Sequence, residues 1–174
     1  EYFGIGDLAV SYNDELLGYS LDLKGSEYFT IYIRQISNNK LVSSKIKDTS
    51  GNIIFSLDDK YIFYSKLDNN HRPKTIFRHE IGTPIKNDIL IFEEKNDRFT
   101  VGIDITSDEK YFIISSGDHT TSEVYYFLSD DKAPKPQLFQ KAKEGIIYSI
   151  NSWGKYFYIH TNYKAEDFKI CKCL

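Results

Sequence analysis

Residues 56–65, Ser56-Leu57-Asp58-Asp59-Lys60-Tyr61-Ile62-Phe63-Tyr64-Ser65, decide how this chain is read. A polar turn runs into an unbroken series of aromatic and aliphatic residues that closes on a serine. The series is too short for a packed helix and rich in β-formers, which marks a strand covered on both faces. The pattern recurs elsewhere. Asn13-Asp14-Glu15 precedes LLGYS, Ser107-Asp108-Glu109-Lys110 precedes YFIIS, and Trp153-Gly154-Lys155 precedes YFYIHT. Taking Glu15, Lys60, Lys110 and Lys155 as equivalent gives spacings of 45, 50 and 45 residues. A second short apolar stretch stands before each turn: LAVSY, IIFSL, VGIDIT and IYSIN.

Periods of this length, each holding about four short strands, are the mark of β-propeller blades. The expectation is an all-β chain forming a partial β-propeller of about three and a half four-stranded blades. The blades fall at about residues 7–51, 52–97 and 98–145, with an incomplete one at 146–174. The competing architecture, a β-sandwich with similar strand spacing, does not call for matched anchors. Tyr19, Phe63, Ile113 and Tyr158 are placed at like positions of successive second strands and expected to be buried. Asp14, Asp59 and Asp108 are expected to face solvent. Gly4-Ile5-Gly6 reads as a strand-opening turn, and 165–171 as a short strand.

Composition narrows the functional classes. With 22 Lys and Arg against 25 Asp and Glu, and a net charge of −3, the chain is no basic nucleic-acid binder. Aromatics at 16% argue for a packed core over disorder. No apolar run approaches the ~18 residues of a membrane-crossing helix. Cys171 and Cys173 lie two apart, too close for an unstrained disulfide, and His71, His79, His119 and His160 lack metal-ligand spacing. No cofactor and no metal are expected. No N-x-S/T sequon occurs, and a reducing cytoplasm is the expected setting. The sequence has no Met, even at position 1. With no signal segment visible, an excerpt of a longer chain is expected.

The usual catalytic signatures are missing. Gly18-Tyr19-Ser20-Leu21-Asp22 fails as a nucleophile elbow at its second glycine. Glu93-Glu94, Asp58-Asp59 and Asp130-Asp131 are neighbours in sequence, and neighbouring strand residues point to opposite faces. His119-Thr120-Thr121-Ser122 offers a base beside a hydroxyl, but a polar loop bonding its own backbone explains it more simply. No catalytic residue is assigned.

Two segments are distinctive. One is Phe77-Arg78-His79-Glu80-Ile81-Gly82-Thr83-Pro84, continued by Asp88-Ile89-Leu90-Ile91-Phe92-Glu93-Glu94-Lys95-Asn96-Asp97-Arg98-Phe99. The other pairs Thr121-Ser122-Glu123-Val124 with Tyr156-Phe157-Tyr158-Ile159-His160-Thr161-Asn162. In this order and spacing they resemble the propeller of the prolyl oligopeptidase family of serine peptidases, in its oligopeptidase B (protease II) subgroup, from about Gly4 to Ile170. The resemblance implies a seven-bladed propeller whose remainder lies outside this chain. It also implies a C-terminal α/β-hydrolase domain with a Ser–Asp–His triad that cuts short peptides after Arg or Lys. The propeller would cap that site and exclude folded proteins. A first-loop pattern like D-x-x-G-R-R is replaced here by Asp22-Leu23-Lys24-Gly25-Ser26-Glu27, so both arginines are lost. Lys24 offers a point charge without the arginine fork.

In that setting one set of loops is expected to face the hydrolase. It holds Lys24, Ser26 and Glu27, then Asn69, His71 and Arg72, then Asp97 and Arg98, and finally Asp118 and His119. Two other readings stay open: a stand-alone propeller that binds a protein partner, and the propeller of another peptidase of the family. The chain alone is expected to be inactive. It is also expected to self-associate through apolar rows that include Leu17, Ile31 and Phe157. Neither nucleic acid nor membrane is an expected partner.

Overall fold

The computed structural model describes residues 2–42 and 45–174, in two compact units, 1–93 and 94–174. In the first unit β1 (Gly4–Val10), β2 (Leu16–Asp22), β3 (Phe29–Gln35) and β4 (Ile46–Thr49) form an antiparallel meander. A second meander follows: β5 (Ile54–Phe55), β6 (Tyr61–Leu67), β7 (Pro73–Glu80) and β8 (Ile89–Glu93). A single pairing, Thr49 with Lys66, joins the two into one eight-stranded sheet. A 3-10 turn at Ile85–Asn87 leads into β8.

The second unit holds a four-stranded meander of β9 (Thr100–Ile105), β10 (Tyr111–Gly117), β11 (Ser122–Leu128) and β12 (Gln137–Gln140). It also holds a three-stranded one of β13 (Tyr148–Trp153), β14 (Tyr156–Thr161) and β15 (Lys169–Cys173). The strand read at 165–171 begins later, because 165–168 is a turn in which Phe168 N–H bonds the Ala165 carbonyl. Gly4-Ile5-Gly6 is also corrected: it lies inside β1, beside a bulge between Ile5 and Leu8.

Covered strands are buried along consecutive residues. In β6, Ile62, Phe63, Tyr64 and Ser65 are all buried, and in β10 so are Phe112, Ile113 and Ile114. The first unit's core gathers Ile31, Ile33, Ile46, Ile53, Phe55, Ile62 and Tyr64. The second unit's core is aromatic. Phe157 packs against Tyr111, Phe139 and Tyr126 at ring distances of 5.0, 5.3 and 5.5 Å.

Three turns share one wiring. In each a Ser or Thr hydroxyl donates to an Asn or Asp two residues on and accepts the N–H that opens the next strand. The sets are Ser11, Asn13 and Leu16; Ser56, Asp58 and Tyr61; and Thr106, Asp108 and Tyr111. The residue after the Asx has a left-handed backbone: Asp14, Asp59 and Glu109 have φ of 59°, 55° and 58°. This aligns Asp108 with Asn13 and Asp58, not with Asp14 and Asp59. Asp108 is therefore a capping side chain, 11% exposed, and does not face solvent as expected. Between β13 and β14 the turn shrinks to Gly154-Lys155, with φ of 66° at Gly154, a position suited to glycine.

The aligned turns also correct the core list. Phe63 and Ile113 are buried, as read. Their partner in β2 is Gly18, not Tyr19, which lies half-buried and stacked on Tyr32. Tyr158 is 37% exposed because alternation along β14 turns Phe157, not Tyr158, toward the aromatic core. Among the residues expected to be at risk of exposure, Ile31 is fully buried, while Leu17 and Phe157 are half-buried.

Candidate functional site

The loops after β2, β6 and β10 each begin with an aspartate at or just past the end of the strand. Asp22 closes β2 and accepts the N–H groups of Lys24 (2.8 Å), Gly25 (3.1 Å) and Glu27 (2.7 Å), while the Ser26 hydroxyl donates to it at 3.4 Å. Burial pushes the Asp22 carboxyl up, and these backbone donors more than offset it, leaving it below the ordinary carboxylate range. Asp68 plays the same part after β6, accepting from Asn70 and Arg72. The His71 ring packs against Tyr28, tilted by 38° with ring centres 4.3 Å apart, so the β2–β3 and β6–β7 loops touch. Lys24 and Glu27 remain exposed, and Lys24 forms no ion pair among the described residues.

In the second unit Asp118 follows β10. It accepts the N–H groups of Thr120 and Thr121, each at 2.9 Å, and the Arg98 guanidinium at 2.7 and 3.1 Å. The Thr120 N–H and then Arg98 hold its carboxyl down at about 2. Arg98 also reaches Glu144 at 3.3 Å, which ties the β8–β9, β10–β11 and β12–β13 connections together. Asp97 and His119 are exposed. Of the expected face residues, Asn69, His71 and Arg72 share one loop, and Arg98 and Asp118 pair directly.

The Ser122 hydroxyl bridges to the backbone of Tyr148, donating to its carbonyl at 2.9 Å and accepting its N–H at 2.6 Å, so it is engaged in structure. Among the described residues no group of three His, Cys, Asp or Glu is placed to hold a metal ion. Among the described residues no helix is long and apolar enough to cross a membrane.

Sequence reasoning missed one buried network. Asp88 accepts the Tyr64 hydroxyl at 2.8 Å and meets His79 Nδ1 at 2.7 Å, and all three side chains are almost fully buried. Burial and then the Asp88 carboxylate push the Tyr64 hydroxyl far above its ordinary range. Beside it Arg78 is buried over the Tyr61 ring at 4.4 Å. The Arg78-His79…Asp88 spacing, noted in the sequence only as a signature, is thus the wiring that fixes β7 to the start of β8.

Comparison with known proteins agrees with this architecture. A family described as "Prolyl oligopeptidase, N-terminal beta-propeller domain" matches residues 1–174. The chain is 29% identical to Protease 2 of Moraxella lacunata, over 99% of the chain and 25% of that protein. It is 29% identical to Dipeptidyl aminopeptidase BI of Pseudoxanthomonas mexicana, over 98% and 24%. The chain thus spans about a quarter of the length of these relatives. Oligopeptidase B from Leishmania major superposes with a TM-score of 0.93 at 22% identity, over 99% of this chain and 25% of that one. Oligopeptidase B from Trypanosoma brucei gives 0.90 at 23%, over 99% and 24%. The chain belongs to the N-terminal β-propeller domain family of the prolyl oligopeptidases.

Proposed function

We propose that this chain is the propeller of an oligopeptidase B-like serine endopeptidase that cleaves short peptides after Arg or Lys. The observation that carries this reading is the match to Protease 2 along 99% of the chain. Catalysis belongs to an α/β-hydrolase domain elsewhere in the parent, and the propeller's share is to cap the active site and admit peptides by size. Its blades are proposed at about 7–51, 52–97, 98–145 and 146–174, a division that the antiparallel meanders support, and the proposed cytoplasmic setting accords with the free Cys171 and Cys173.

The loops headed by Asp22, Asp68 and Asp118, with the Asp97-Arg98 connection, are proposed to meet the hydrolase. Each leaves its own sheet at the end opposite the short turns. Lys24, Ser26, Glu27, Asn69, His71, Arg72, Asp97, Arg98, Asp118 and His119 would then line that side. The exposed Lys24 in place of an arginine pair makes the first of these contacts electrostatically weaker.

The test is an assay of the full-length protein. Short arginyl and lysyl peptide amides should be cleaved far faster than prolyl or neutral ones, and the same peptide embedded in a folded protein should resist. Preference for proline, or equal cleavage of the folded protein, would overturn the reading. An open reading frame without a G-x-S-x-G elbow beyond the propeller would favour a stand-alone interaction propeller instead.

A further inference from the structure

We propose that a cleft in the second unit is a binding site for acidic peptide segments. The cleft holds about 320 Å³, within the range of ligand sites. Lys141 and Lys143 from the β12–β13 connection and Tyr163, after β14, line it. Three ammonium groups surround the exposed Tyr163 ring: Lys143 at 5.3 Å, Lys164 at 5.5 Å and Lys169 at 5.8 Å from its centre. No carboxylate lies within 4 Å of Lys141, Lys143, Lys164 or Lys169 among the described residues. Glu144, the nearest acid in sequence to Lys143, is drawn to Arg98 instead. Lys143, Lys164 and Lys169 thus stand around one ring with no carboxylate in direct contact, although Glu166 and Asp167 lie between two of them in sequence.

The floor of the cleft says what accompanies the negative charge. Ile146, Tyr148 and Ile159 line it. The Tyr148 hydroxyl is already used, accepting the Val124 N–H and donating to the Gln140 carbonyl. The floor therefore offers apolar surface and no free polar atom from that ring. A bare phosphate would leave it unused. A peptide carrying an aliphatic or aromatic side chain between acidic residues satisfies both parts, its apolar group on the floor and its carboxylates among the lysines. Cys171, exposed on β15, lines the same cleft and reports on its occupancy. Cys173, on the same strand, does not line it.

The test uses the full-length protein and fluorescein-labelled Asp-Glu-Phe-Glu-Asp, a peptide without Arg or Lys, so cleavage after a basic residue plays no part. Anisotropy should show saturable binding that weakens as salt is raised, because screening shortens to about 10 Å at 0.1 M. At saturation the peptide should slow alkylation of Cys171 by iodoacetamide about fivefold or more and leave Cys173 unchanged, as expected for a thiol covered by a ligand. The double change Lys143→Glu with Lys169→Glu should weaken binding about tenfold or more, and Lys143→Gln with Lys169→Gln by less, in the order of the charge removed. Equal binding of the uncharged Asn-Gln-Phe-Gln-Asn, equally tight binding of inorganic phosphate, or saturation without protection of Cys171 would each overturn the proposal.

Discussion

Gly18 and Phe63 hold the same position in β2 and β6, and the difference between them is a packing event. A Cβ on Gly18 would stand 3.2 Å from both Ile53 Cγ2 and Phe55 Cε2, so the side chains of the next meander take the space a larger residue would fill. Gly18→Val should destabilise the protein by about 1–3 kcal/mol through overpacking, read as a lower urea midpoint. Phe63→Ala, at 3% exposure, should cost about 3–5 kcal/mol. An unchanged midpoint in either variant would contradict the register. Asp118 carries a pH signature. Its carboxyl is held at about 2, below its unfolded value, so its contribution is present above the unfolded pKa and is lost as pH falls through about 2. The stability gap between the protein and Asp118→Asn should therefore narrow between about pH 4 and pH 2. A gap constant over that window would refute the assignment. Phe63 and Ile113 were legible in the sequence because apolar runs announce strands covered on both faces. Gly18 was not, because its reason lies in a residue 35 positions away. Nor was Asp88, whose partners Tyr64 and His79 meet it only once β6, β7 and β8 are paired.

At the scale of elements the recurring turn does two jobs. Its Ser or Thr and Asx side chains close the hairpin locally, and its charged tip ties one turn to the next. The Asp59 carboxylate accepts the N–H groups of Tyr12 and Asn13 at 2.7 and 2.8 Å. In the second unit the Asn151 amide donates to the Ser107 hydroxyl, its carbonyl accepts the Ser107 N–H, and the Ser152 hydroxyl donates to Asp108. Asp59→Ala should cost about 1–2 kcal/mol, as expected for hydrogen bonds to a charged acceptor at a partly exposed site. Asp59→Asn, which keeps one acceptor oxygen, should cost less. No loss in Asp59→Ala, by urea unfolding, would show that the link to the preceding turn contributes nothing. The turns were readable because the Ser/Thr-x-Asx pattern is local chemistry. Their linkage was not, because it depends on neighbouring hairpins lying side by side, and the shortened Gly154-Lys155 turn hid the equivalence of Ser152 with Ser11, Ser56 and Thr106.

At the scale of the whole molecule, each unit keeps apolar surface in water. Ile5, Leu8 and Val10 of β1 are 56%, 61% and 51% exposed, and Trp153 and Ile170 are 63% and 73% exposed. Exposed apolar surface of that kind finds partners, so the isolated chain should gain mass in light scattering over a tenfold concentration range, while a constant monomer mass would refute this. The central claim is that the loop end of the sheets, and not the short-turn end, meets the proposed catalytic domain of the full-length protein. Its most direct measurement is crosslinking of the full-length protein from single cysteines placed at Asn69, His119, Asp14 and Glu109. Crosslinks to the proposed hydrolase domain are expected from Asn69 and His119 and none from Asp14 or Glu109. Crosslinks from Asp14 and Glu109, with none from the two loop positions, would contradict it.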